Sequence, residues 1–150
     1  MIVSGMAHLG RRLLALERDD RWLVVEAIVL IGLVQAGLRM LSFATLRRLL
    51  AAAKRVRPRA PSRHSRIAWA VNAAARLVPG RTCLTDALAA DVMLCRRGYQ
   101  SVLRIGVKKR SGGAGPLEAH AWVESAGSIV AGELAALDEY WPLPSRGGTA

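Results

Sequence analysis

Two side chains in this sequence could combine as a nucleophile and its base. Cys83 lies in Pro79-Gly-Arg-Thr-Cys83-Leu-Thr-Asp-Ala-Leu88, where a proline-glycine turn runs into a helical pattern. His120 lies in Ala119-His-Ala-Trp-Val-Glu124, which alternates like a strand. A thiol in the first turn of a helix meets unpaired N–H groups and the positive end of the helix dipole, and both favour the thiolate. Asp86, in the same turn, pulls weakly the other way. An imidazole on a facing strand can draw the thiol proton, and the N–H groups of the helix start can stabilise an oxyanion.

Such a pair needs a third group to orient the imidazole. Ala126-Gly127 marks a turn between the run Leu117 to Glu124 and a returning strand, Ser128 to Glu133. With a two-residue turn, Ser125 faces Ser128 and His120 faces Glu133 on the same side, Cβ atoms about 5 Å apart. A four-residue loop keeps that register. A three-residue loop puts Gly132 opposite His120 and turns Glu133 away. Glu133 is therefore the expected third member on condition of the turn's length, with Asp138 in the following loop as the reserve.

The remaining candidates read as structure. Cys95 falls on the stripe Leu84, Leu88, Val92, Cys95, late in its helix, and is expected to fill the core. His8 near the terminus and His64 in a basic stretch are expected in solvent. Two cysteines and three histidines show no metal-ligand spacing, and no cofactor is expected.

These residues must be positioned by the elements around them. Thr82 is a good N-cap for the Cys83 helix, and Arg96-Arg97-Gly98 closes it with cations and a glycine. Ser101 to Val107 alternates as a half-buried strand, followed by a glycine-rich basic loop from Lys108 to Gly115. Leu117, Ala119, Ala121 and Val123 share one face of the next strand; Glu118, His120, Trp122 and Glu124 share the other. Upstream, residues 1–20 carry Leu9, Leu13 and Leu16 at helical spacing. Trp22 to Leu38 is the most apolar segment, at the lower limit for a bilayer span, with Glu26 and Gln35 making a span costly. It reads as the central helix of a small core, apolar nearly all round and buried or covered by a partner. Leu41, Phe43, Leu46, Leu49 and Leu50 continue the pattern with Arg47 and Arg48 outward. Lys54 to Arg66 holds six lysines and arginines with two prolines and reads as an exposed connection. Ile67 to Val78 is a short alanine-rich helix.

The expected organisation is thus an α+β chain: an N-terminal helical segment, 1–53, packing on the core or on a partner; a basic linker, 54–66; a core, 67–143; and a flexible tail, 144–150. At 150 residues and 52% hydrophobic content the chain suits one domain with a real core. Free cysteines and no recognisable signal sequence lead us to expect a reducing, cytoplasmic setting. The net charge of +11 raises nucleic acid as a partner, but the few aromatics do not interleave with the basic runs as a stacking platform would. A basic face for an acidic peptide or protein, or simply a soluble surface, accounts for the charge as well, and no nucleic acid is expected as a partner.

The motifs around Cys83, Arg96-Arg97-Gly98, Leu103-Arg-Ile-Gly-Val107 and Ala119-His-Ala-Trp-Val-Glu124 together resemble the transglutaminase-like cysteine peptidases of lasso-peptide biosynthesis, the B proteins. The resemblance is strongest over about residues 66–135. It implies a transglutaminase- or papain-like fold, with the nucleophile-bearing helix packed on a small antiparallel sheet and preceded by helices. It implies a leader peptidase that cuts a ribosomally made precursor so that a lasso cyclase can close the macrolactam, with Cys83 as nucleophile and His120 as base. Members often carry an aspartate about twelve residues past the histidine; this chain has Gly132 there, with Glu133 next to it. Longer members also carry a leader-recognition domain, which the helical first 65 residues do not resemble. The chain resembles the split form, whose partners are the precursor leader peptide, a separate recognition protein and the cyclase. A rival reading is a non-catalytic peptide- or protein-binding adaptor of the same fold. A third is a small membrane-anchored protein using Trp22 to Leu38.

Overall fold

Ten successive residues of the Cys83 helix, Thr85 to Leu94, are buried, which makes it the centre of the molecule. In the computed structural model, the structure describes residues 17–55, 63–109, 116–133 and 137–144. The expected helix before residue 17 with His8, most of the basic connection, most of the glycine-rich loop and the tail from 145 lie outside them. The described chain is α+β, with four α-helices and a four-stranded antiparallel sheet: α1 Arg18–Met40, α2 Phe43–Arg55, α3 His64–Ala75, α4 Cys83–Cys95, β1 Val102–Lys108, β2 Glu118–Ser125, β3 Ser128–Ala131 and β4 Trp141–Pro142. Helices α1, α2 and α3 pack on α4, and β1, β2 and β3 pack on it as well. A helix enclosed in this way is apolar nearly all round, and its two buried carboxylates, Asp86 and Asp91, are each paired with a cation. Its small residues Ala87, Ala89 and Ala90, all fully buried, let those neighbours approach.

The sequence reading gives that central place to the Trp22–Leu38 segment, and the structure corrects it. Helix α1 is long and apolar enough to cross a bilayer by length and composition. It buries only one stripe, Leu23, Val24, Ala27, Leu30, Ile31 and Val34, while Trp22, Val29 and Leu33 are exposed. Glu26 sits at the flank of the stripe, where its carboxylate pairs with Arg96 (3.1 Å) and Arg97 (2.7 Å) at the end of α4. The residue that argues against a span is thus part of a largely buried ion pair inside the fold. Helix α2 is more weakly held: it buries Leu46, whose methyl lies where a Cβ on Gly37 would come within 2.7 Å.

The helix limits differ from the expected ones around the basic connection. Helix α2 runs through Lys54 and Arg55, and α3 begins at His64 instead of Ile67. His64 is therefore not a solvated linker residue. Its Nε2 is 3.0 Å from Ser125 Oγ and its ring lies 3.8 Å from that of Tyr99. Lys54 reaches back to the buried Asp91 of α4, which also accepts from Ser101 Oγ. Cys95 joins that group, with its Sγ 3.2 Å from Ser101 Oγ, so it lies in a polar cluster and not in apolar filling.

The sheet has the order β3-β2-β1-β4. Strand β2 pairs with β1 without interruption, Gly106 opposite His120 and Arg104 opposite Trp122. Ala121 and Val123 join the core under the helices. Side chains alternate along a strand, so His120 and Trp122 rise from the other face. β4 is too short, and carries a proline, for any strand signal; it pairs Trp141 with Val107.

Candidate active site

The Cys83 half of the site is a helix start held from two sides. Thr82 caps α4 through a capping box: its side chain accepts from the Thr85 N–H, and the Thr85 hydroxyl accepts from the Thr82 N–H. The expected N-cap is therefore the observed one, with threonine in the position usually taken by glutamate or glutamine. The Asp86 N–H bonds to the Thr82 carbonyl. The amides of Cys83 and Leu84, at the first two helical positions, have no intrahelical acceptor. They are the donors left for an anion. Cys83 is half-buried, a free thiol packed against the core cluster.

The turn before it is tied to α1. Gln35 Nε2 donates to the Pro79 carbonyl (3.1 Å) and to the Gly80 carbonyl (3.0 Å), and Gly80 takes a positive φ of 69° that favours glycine. Sequence reasoning weighed Gln35 only as a cost to membrane insertion. Its signal, a lone amide inside an apolar helix, was there to be read. Arg81 pairs with Asp86 across the helix start. Burial holds the Asp86 carboxyl above its usual range, against the opposing pull of Arg81 and Thr85. One of its oxygens, Oδ1, is buried without a partner among the described residues.

The His120 half is built on β2. Gly106, directly opposite, leaves room for the neighbouring rings: a Cβ there would lie 2.9 Å from two indole carbons of Trp122 and 3.0 Å from Tyr140 Cβ. His120 stacks beside Trp122 at 6.3 Å between centroids and meets Tyr140 at 5.5 Å. Tyr140 donates to Glu118 (2.9 Å); burial, and then this acidic neighbour, push its phenol pKa upward. No sequence signal marked Tyr140, which comes to the ring through the Leu137–Glu139 turn.

The third position differs from the one expected. The turn is two residues long, with Ala126 at φ 49° and Gly127 at φ 77°, and Ser125 does face Ser128. A register shift then intervenes: Glu124 faces Ile129 but Val123 faces Ala131, so Val130 is an extra residue, and β3 ends at Ala131. The ladder that would have set Glu133 opposite His120 is lost. Glu133 is exposed and makes no hydrogen bond or ion pair among the described residues. Asp138, in the short 3-10 turn, is exposed too. His120 Nε2 instead lies 2.7 Å from the main-chain carbonyl oxygen of Gly132.

The structure brings α4 against β2 but does not join Cys83 to His120 by a hydrogen bond. The helices cover the Ala121 and Val123 face, whereas His120 rises from the other. Among the described residues no three His, Cys, Asp or Glu side chains converge as metal ligands.

Comparison with known proteins points the same way as the fold. The family model of the transglutaminase-like superfamily matches residues 28–145, taking in most of α1 and all of the elements after it. No curated protein and no solved structure matches the chain. The α+β architecture around a buried, capped helix fits that match, and the chain belongs to the transglutaminase-like superfamily.

Proposed function

We propose that the protein is a cysteine endopeptidase that removes the leader from a ribosomally made lasso-peptide precursor before macrolactam cyclisation. Cys83 is its nucleophile and His120 its base. The observation that carries the reading is the position of Cys83, first residue of the capped central helix of a transglutaminase-like domain. In the reaction the imidazole takes the thiol proton and the thiolate attacks the scissile carbonyl carbon. The amides of Cys83 and Leu84 stabilise the oxyanion. The leaving amine takes the proton from the imidazolium, and water then hydrolyses the thioester to free the leader and restore the thiol. The precursor arrives on a separate leader-recognition protein, the product passes to the lasso cyclase, and the work is done in the cytoplasm.

The test is leader cleavage by the purified chain with its recognition partner. Cys83→Ala and His120→Ala each abolish cleavage while the far-ultraviolet circular dichroism spectrum is unchanged. Normal cleavage by Cys83→Ala ends the proposal.

Two observations favour a second reading, a non-catalytic peptide- or protein-binding adaptor: no hydrogen bond joins the thiol to the imidazole, and His120 rises from the sheet face that the helices do not cover. Catalytic hydrogen bonds are often long before substrate binds, but the peptidase reading also requires the imidazole to reach the start of the Cys83 helix. Alkylation separates the two. A catalytic Cys83 reacts with iodoacetamide at neutral pH much faster than Cys95; equally slow labelling of both is the adaptor's result.

A further inference from the structure

The peptidase reading leaves the orientation of its base unassigned, and among the described residues no side chain hydrogen-bonds to the His120 ring. Gly132 follows β3 with φ +82°, a conformation favoured only by glycine. An added Cβ would lie 2.4 Å from the Ala121 carbonyl oxygen and 2.9 Å from Trp122 Cα, both main-chain atoms that cannot swing aside. The backbone of residue 132 therefore lies directly over β2, and this close approach brings its carbonyl to 2.7 Å from His120 Nε2. A carbonyl can only accept, so Nε2 must carry a proton, and in the neutral ring the lone pair then stands on Nδ1. Stacking on Trp122 and contact with Tyr140 hold the plane of the ring. The extra residue in β3 sets the arrangement up, because the shift of register carries the Glu133 side chain away as it brings the Gly132 carbonyl in.

We propose that the Gly132 main-chain carbonyl is the positioning group for His120, doing by backbone what a third side chain would otherwise do, and that Nδ1 is consequently the nitrogen that accepts the proton. The inference rests on the peptidase reading for its catalytic meaning but not for its test. Long-range proton–nitrogen correlation spectra of histidine-labelled Cys83→Ala protein, assigned with His8→Gln and His64→Gln, read the tautomer of His120 above its titration. The expected result is the Nε2–H tautomer. The Nδ1–H tautomer, or rapid exchange between the two, overturns the proposal. Gly132→Ala is expected to lose the single tautomer if it folds, and retention of the Nε2–H form in a folded Gly132→Ala protein counts against the carbonyl. In the active chain the pH profile of Cys83 alkylation is expected to be the same in Glu133→Gln as in the parent; a displaced profile would return the orienting role to the Glu133 carboxylate. Loss of cleavage activity by itself touches only the peptidase reading, while the tautomer touches only this one.

Discussion

Replacing Glu26 by alanine tests how the fold is locked behind its central helix. The carboxylate is 11% exposed and accepts from Arg96, 15% exposed, and from Arg97, 5% exposed. The Nε of each arginine is already buried without a partner among the described residues. Arg96 is the more exposed of the two and lies nearer to water, whereas Arg97 is left with its bond to the Met93 carbonyl. Breaking a buried pair by removing one member costs about 3–5 kcal/mol, mostly because a charge is stranded. With one of the two cations able to escape, the lower end applies, about 3 kcal/mol. A single domain is stable by about 5–15 kcal/mol, so the variant remains folded but loses much of its margin. Equilibrium urea unfolding followed by tryptophan fluorescence measures the loss. The double variant Glu26→Leu, Arg97→Met removes both the stranded charge and its partner and is expected to return most of it. If Glu26→Ala costs less than about 1 kcal/mol, the group behaves as a surface pair and the reasoning fails.

Two further expectations concern the ground under Cys83. Gln35→Ala removes two hydrogen bonds to the exposed turn at Pro79 and Gly80, a net loss of about 1 kcal/mol for the pair. Amide exchange at Thr82, whose N–H bonds to Thr85 Oγ1, should quicken roughly five-fold, and unchanged protection would mean the tether is idle. Asp86, whose carboxyl burial raises above the ordinary value, makes the native state the tighter proton binder. Its penalty is present at neutral pH and is relieved as the pH falls through the raised value toward 3.8. Urea midpoints from pH 7 downward should therefore move in favour of the parent relative to Asp86→Asn; a constant difference would contradict the sign.

The helix side of the site was legible in the sequence and the sheet side only in part, for physical reasons. Thr82, Cys83 and Arg96-Arg97-Gly98 delimit α4 through capping chemistry, which depends on neighbours a few residues apart and so can be read along the chain. The place of that helix was not legible: α1 and α4 are both apolar, and only tertiary packing decides that α4 is enclosed while α1 keeps Trp22 and Leu33 outside. His64 was misread because prolines and arginines around it look like a connection, although its imidazole has partners in Ser125 and Tyr99, far along the chain. On the sheet, alternation correctly put His120 and Trp122 on one face, and the two-residue turn fixed Ser125 against Ser128. One inserted residue, Val130, then undid the pairing of His120 with Glu133. A bulge is a local change of register with no compositional mark, so the sequence could name the turn but not the slip after it. What survives the slip is the need behind the prediction: an imidazole on a strand needs a fixed acceptor. A carboxylate could meet that need from several backbone positions, whereas a carbonyl can meet it only where the backbone itself comes close. Gly132 is the residue beside β2 whose lack of a side chain allows that approach.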